Sequence, residues 1–176
     1  MDLLEKLSGR IHMEDIYETL LYVEGNDKRK QELYELIYHE DELLSYQTLW
    51  VLTHFNRTEM EWLFTKQNEL IDEVLRCEHP GKRRLLLNLL FKQPLANPPR
   101  VDFLDFCLER MLSKEELPGV QTLSMKLAYE LCRPIPELLQ ELRTMLDIME
   151  ADLLPISIRT VRKNVLKAMI TGRSIV

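Results

Sequence analysis

Apolar residues recur at a fixed interval of 37 positions along this chain of 176 residues. Two sets occur four times at that interval: Tyr34, Ile71, Leu108 and Met145, and Ile37, Val74, Met111 and Ile148. Two further sets return a fourth time one residue late: Leu49, Leu86, Leu123 and Val161, and Thr53, Leu90, Leu127 and Val165. A constant period of roughly 20–50 residues is typical of repeat proteins, in which equivalent modules stack on one another. The spacing therefore predicts a stack of similar modules.

Each module is predicted to contain two helices, because both groups of segments that carry the repeated residues have apolar positions three and four apart. The first group comprises residues 68–77, 101–112 and 136–149. The second group comprises residues 45–55, 82–92, 120–131 and 157–169. Proline and glycine fall between the segments, where they interrupt helices. No stretch alternates apolar and polar residues between hairpin turns, as a strand would.

We therefore expect an all-α fold, an α-α superhelix of about four two-helix repeats that forms a single domain over residues 1–176. The expected repeats are residues 27–56, 57–93, 99–133 and 135–171. Residues 1–26 are expected to form an N-terminal cap, whose segment 13–25 has the pattern of a lone second helix. At the start of the second repeat, Thr58 and Glu61 have the spacing of a capping box.

The last predicted helix contains the segment VRKNVLKAM at residues 161–169. Its residues Val161, Arg162, Val165, Ala168 and Met169 stand where the second helix of a HEAT repeat carries a Val-Arg pair followed by small and apolar residues. Together with the two-helix unit of about 37 residues, this segment resembles the HEAT family of α-solenoid repeats. The resemblance extends over residues 27–171. It implies that the second helices line a concave surface.

The net charge of −6 is distributed unevenly along the chain. Residues 153–176 contain five basic residues and no acidic residue, which leaves a charge of −11 on residues 1–152. Because lysine and arginine supply most of the affinity for nucleic acid, this acidic balance argues against a general nucleic-acid binder.

The cysteines and the hydropathy indicate the compartment. Cys77, Cys107 and Cys132 are odd in number and irregularly spaced, which favours reduced, buried thiols. No uninterrupted apolar run approaches 18 residues, and the first residues lack the pattern of a secretory signal. The chain is therefore expected to be cytoplasmic, with no membrane contact.

Equivalent positions of the second helices carry rows of polar, basic and aromatic residues. At about 100° per residue, Gln47 lies about 160° around the helix from Leu49, so its row should face away from the core. The four rows are Gln47, Val51 and Phe55; Arg84, Asn88 and Lys92; Gln121, Met125 and Tyr129; and Arg159, Lys163 and Lys167. The HEAT resemblance places all four along one groove. In that groove, Arg84 and Arg159 would be the forked donors for an acidic or phosphorylated ligand.

These features favour a non-enzymatic scaffold that binds a protein or peptide partner. A simpler alternative is that each row is only the solvated face of an amphipathic helix. Another alternative is a DNA-binding protein that resembles the HEAT-like alkylpurine glycosylases and grips the nucleic-acid backbone. The sequence has no paired metal ligands, no phosphate-binding glycine loop and no motif for a nucleophile. No catalytic residue, metal or cofactor is therefore assigned, and an enzymatic activity stays open.

Overall fold

The computed structural model describes all 176 residues, and these residues form only helices and loops. They divide into two compact units, Met1–Leu70 and Ile71–Val176. No helix in the chain combines the length and the apolar character that are needed to cross a bilayer.

The first unit is organised around α4, which packs against α1, α2 and α3. Its helices are α1 (Leu3–Ser8), α2 (Met13–Val23), α3 (Asp27–Glu35), α4 (Glu42–Leu52) and α5 (Arg57–Phe64), with a 3-10 turn at Leu36–Tyr38. Side chains of Asp2, Asn26, Asp41 and Asn56 accept hydrogen bonds from backbone N–H groups in the first turns of α1, α3, α4 and α5. Such caps satisfy N–H groups that have no partner within the helix. The next helix, α6 (Gln67–Arg76), begins in this unit and ends in the second.

The second unit is organised around α9, which packs against α7, α8, α10 and α11. The five helices are α7 (Pro80–Phe91), α8 (Val101–Leu112), α9 (Pro118–Cys132), α10 (Pro136–Asp147) and α11 (Ile156–Thr171), with a 3-10 turn at Ala151–Leu153. Proline stands at the first position of α7, α9 and α10, where its missing N–H costs no helical hydrogen bond. Helix α9 contacts both α7 and α11, so the second helices of successive repeats pack next to one another.

The helices predicted from the repeat are confirmed. Helices α6, α8 and α10 cover the first group of segments, and α4, α7, α9 and α11 cover the second. The expected helix at residues 13–25 is α2. The predicted capping box of Thr58 and Glu61 is wrong, because α5 starts at Arg57 and its N-cap is Asn56. The side-chain oxygen of Asn56 accepts from the N–H of Glu59 at 3.0 Å.

Most of the repeated apolar positions form the core. Fully buried members of the repeated sets include Ile37, Val74, Met111, Leu49, Leu86, Leu127 and Val165. The main exception is Ile148, whose surface is 72% exposed. Ile148 lies two residues after the buried Leu146, and this rotation of about 200° places it on the opposite, exposed face of the helix. Ile148 therefore belongs to a repeated set but not to the core.

The three cysteines are free thiols and are buried, as the sequence predicted. Burial raises the pKa of all three thiols, that of Cys132 to about 11. They are therefore protonated at neutral pH, and a protonated thiol is a poor nucleophile.

Candidate binding cleft

The row that begins at Gln47 is buried, which corrects the expectation that it faces solvent. The amide nitrogen Nε2 of Gln47 donates to the carbonyl oxygens of Leu7 at 2.7 Å and Gly9 at 2.6 Å. Its oxygen Oε1 accepts from the N–H of Ile11 at 3.1 Å. Val51 and Phe55 are also buried. Gln47 therefore joins α4 to the end of α1 and to the loop that follows it, and its amide is buried in these contacts.

The row on α9 is buried too, for a different reason. Gln121, Met125 and Tyr129 are all buried because α9 has neighbours on four sides. The Nε2 of Gln121 donates to the carbonyl oxygen of Glu116 at 2.8 Å, and the hydroxyl of Tyr129 donates to that of Arg173 at 2.7 Å. The expectation that this row lines an open groove is therefore corrected.

The row on α7 lies partly at the surface. Arg84 is exposed, but its aliphatic stem lies so close to Gly119 that a Cβ there would stand 2.8 Å from Arg84 Cδ. The Arg84 side chain thus occupies space that the absence of a side chain at Gly119 leaves free. Asn88 is half-buried, and Lys92 is the C-cap of α7. Partial burial lowers the pKa of Lys92.

The row on α11 is exposed and lines an open cleft. Arg159, Lys163 and Lys167 lie on the opposite side of the helix from Ile158, Val165 and Ala168, which are buried. Together with α10 they form a cleft of about 800 Å³, here called the basic cleft. Its lining residues are Arg143, Asp147, Arg159, Thr160, Lys163, Asn164, Leu166, Lys167 and Ile170. Of the twelve residues in the four predicted rows, the three on α11 line one cleft together.

Sequence reasoning missed the residues that α10 contributes to the basic cleft. Arg143 and Asp147 lie in the helix predicted at residues 136–149, for which no binding residue was predicted. They lie four residues apart on one exposed face, and their side chains form an ion pair with an Nε–Oδ2 distance of 3.8 Å. The spacing of four residues between an arginine and an aspartate was the one feature of the sequence that could have indicated an exposed face here.

Local contacts hold the two walls of the basic cleft in place. The Nε of Arg162 donates to the carbonyl oxygen of Leu146 at 2.7 Å and so joins α11 to α10. The guanidinium of Arg159 donates to the carbonyl oxygens of Asp152 at 3.3 Å and Leu154 at 3.2 Å, which lie in the turn before α11. At its other end α11 stops at Gly172, whose φ of 67° lies in the left-handed region that favours glycine.

Positive charge predominates in the basic cleft. Four cationic side chains line it, and Asp147 is the single carboxylate among its lining residues. Such a surface attracts anionic groups, and its arginines can form paired hydrogen bonds with a carboxylate or a phosphate. Across the whole chain, no group of three or more His, Cys, Asp or Glu side chains is arranged to hold a metal ion.

The side-by-side packing of α7, α9 and α11, with α8 and α10 between them in sequence, defines an all-α helical repeat protein of the solenoid type. A family model described as a HEAT repeat domain matches residues 3–169, which is nearly the whole chain. The chain therefore belongs to the HEAT repeat family. No curated protein and no solved structure shows significant similarity to it.

Proposed function

We propose that this chain is a non-enzymatic scaffold that captures an acidic or phosphorylated segment of a partner protein in the basic cleft. The observation that carries the proposal is the convergence of Arg143, Arg159, Lys163 and Lys167 on one open cleft with a single carboxylate. Membership of the HEAT family supports a scaffold role in general, because helical repeats use their extended surfaces to bind partners.

The spacing of the cations suits a segment with several negative charges. Residues four apart on a helix are separated by about 6 Å along its axis, so Arg159, Lys163 and Lys167 form a row of about 12 Å. Arg143 adds a guanidinium from the opposite wall. A ligand with two or three anionic groups can therefore contact several cations at once, whereas a single charge gains little at an exposed site.

A protein ligand is favoured over nucleic acid by the charge of the rest of the chain. The whole sequence carries a net charge of −6, whereas the basic cleft has four cations and one carboxylate. Duplex DNA presents a long, continuous row of phosphates and would bring its backbone near acidic residues outside the cleft. A short segment is able to contact the cleft alone.

The proposal is tested by measuring the fluorescence anisotropy of a labelled glutamate-rich peptide as the protein is added. The double variant Lys163→Glu/Lys167→Glu is expected to weaken binding by about tenfold or more, because charge reversal replaces attraction with repulsion. The matched control is Lys28→Glu/Arg57→Glu, two reversals at strongly exposed cations in the first turns of α3 and α5. The control should bind like the unmodified chain.

Three further probes separate the possible ligands. A glutamine-rich peptide of the same length should not bind, and a phosphoserine peptide should bind at least as well as the glutamate-rich one. A short DNA duplex should bind more weakly than either anionic peptide. Tighter, salt-sensitive binding of the duplex would overturn the proposal in favour of the DNA-binding alternative. Equal losses in the cleft variant and the control would also overturn it.

A further inference from the structure

Helix α2 carries an exposed stripe that combines acidic and apolar residues. The acidic stripe consists of Glu14, Tyr17, Glu18 and Leu21, which lie on one helical face at spacings of three and four. Tyr17 is 57% exposed and Leu21 is 72% exposed, whereas Ile16, Thr19 and Val23 on the other face are buried. Large apolar side chains exposed in a row with charged neighbours are typical of a contact surface.

Helix α11 carries a stripe with the same spacing and the opposite charge. The basic stripe consists of Lys163, Leu166, Lys167 and Ile170, all of which line the basic cleft. Each residue lies 149 positions after a member of the acidic stripe, in the order Glu14, Tyr17, Glu18 and Leu21. At equivalent positions, each glutamate of the acidic stripe corresponds to a lysine of the basic stripe. Each large apolar side chain of one stripe corresponds to an apolar side chain of the other.

We infer that α2 of one copy of this chain docks against the basic cleft of a second copy. This inference rests on the proposed function, because it uses the same cations, and it names the acidic partner as another molecule of the same protein. When the two helices run in the same direction and in register, the residues at the centre of each stripe face each other, so Glu14 faces Lys163 and Leu21 faces Ile170. The residues on the flanks cross over, so Tyr17 lies beside Lys167 and Glu18 lies beside Leu166. The acidic stripe as a whole thus meets a basic one, and apolar side chains are covered in the same contact.

The first unit already contains one cation near the acidic stripe. Lys6 on α1 contacts Glu18 at 2.7 Å and the half-buried Asp15 at 2.6 Å. One ammonium group is thus shared by two carboxylates, and Glu14 adds a third negative charge. The stripe remains acidic, and a second copy would supply the missing positive charges.

The contact joins two different surfaces, the acidic stripe and the basic cleft, and every molecule carries both. Such a heterologous contact continues from copy to copy and gives a ring or an open chain of molecules. A single pair of helices covers less area than a stable protein interface of about 1,600 Å², so the association should be weak and increase with protein concentration.

The test is sedimentation velocity over a range of protein concentrations in a buffer of about 0.05 M salt, where screening is weak. The average mass of the unmodified chain is expected to rise with concentration and to fall when salt is added. Glu14→Lys/Glu18→Lys makes both surfaces basic, and Lys163→Glu/Lys167→Glu makes both acidic, so each variant alone should stay monomeric. An equimolar mixture should associate again, because each acidic surface then meets a basic one.

The mixture guards against a variant that fails to fold, since an unfolded chain could not restore association. As a second check, Leu21→Ser leaves the charges and the Lys6 contacts in place and should weaken association. Lys28→Glu/Arg57→Glu should associate like the unmodified chain. A chain that stays monomeric at every concentration, or a mixture that fails to associate, would overturn the inference.

The glutamate-rich peptide separates this inference from the proposed function. Binding of the peptide by a chain that never self-associates would overturn the second copy as partner and leave the acidic-ligand site standing. A chain that neither binds the peptide nor self-associates would overturn both the proposed function and the inference. Peptide that competes with self-association would support both, because the two ligands then share the same cations.

Discussion

Lys30 and Glu59 form an ion pair inside the first unit, with 2.8 Å between Nζ and Oε2 and side chains that are only 5% and 6% exposed. Lys30 also contacts Asp27 at 2.7 Å, and Glu59 accepts from the N–H of Gly25 at 3.1 Å. A buried charge requires such partners because it has lost its water. The pair therefore joins α3 to α5.

Replacing Glu59 by glutamine should destabilise the chain strongly. The substitution keeps the shape of the side chain but leaves the buried Lys30 with the exposed Asp27 as its one remaining carboxylate partner. Breaking a buried pair costs about 3 kcal/mol, and we expect a loss of about 2–3 kcal/mol because one partner remains. Urea unfolding followed by circular dichroism measures the effect. Glu32→Gln, which removes an exposed contact of 4.0 Å to Lys28, is the control and should change stability by less than about 0.5 kcal/mol.

Gln47→Ala tests whether this residue is structural. Its loss leaves the carbonyls of Leu7 and Gly9 and the N–H of Ile11 without the partners described above, which should cost about 2–3 kcal/mol. Binding of the glutamate-rich peptide should be unchanged, because the peptide does not reach Gln47. Gln31→Ala removes one surface hydrogen bond, to Glu35, and serves as the control. A variant that keeps its stability and loses the peptide would return Gln47 to the ligand site.

Leu86→Ala and Ile148→Ala compare two positions of the same repeat pattern. Leu86 is fully buried in α7, so truncation should create a cavity and cost about 2–5 kcal/mol. Ile148 is mostly exposed, and its truncation should cost less than about 0.5 kcal/mol. Urea unfolding of both variants checks the difference. Similar costs at the two sites would contradict the assignment of the core.

The carboxylate of Asp102 is expected to stabilise the folded chain at neutral pH and to lose this effect in acid. Hydrogen bonds from Arg100, the closest at 2.6 Å, lower the pKa of the Asp102 carboxyl below its ordinary value of 3.8. A group with a lowered folded-state pKa stabilises the protein above its unfolded pKa and loses that effect as pH falls through the folded pKa. Asp102→Asn should therefore lower the melting temperature at pH 6 and have progressively less effect below about pH 4. A difference that is constant with pH would contradict this linkage.

The helices of the second unit could be predicted almost to the residue. Helix α8 was predicted at residues 101–112 and occupies the same range. Pro98 and Pro99 before it, together with a helical period inside it, constrain this segment locally. The 3-10 turn at Leu36–Tyr38 and the short α1 were not anticipated, because neither has enough residues to show a period.

The binding rows were harder to predict because exposure depends on neighbours that are distant in sequence. The row of Gln121 has the same spacing as that of Arg159, yet α9 is surrounded and α11 is not. A glutamine can face solvent or satisfy buried backbone groups, and its identity alone does not distinguish the two. The place of Arg143 in the cleft was not predicted, because it depends on the packing of α10 against α11. The sequence does not show which faces of these two helices come together.

The guanidinium of Arg159 serves two roles, since it lines the basic cleft and also holds the carbonyls of Asp152 and Leu154. Both hydrogen bonds come from one nitrogen, Nη2. An anion that bound this nitrogen would take it from the two carbonyls, whereas an anion bound through the other nitrogens of the guanidinium would leave the turn before α11 intact. The proposed ligand would therefore loosen this turn only by binding Nη2.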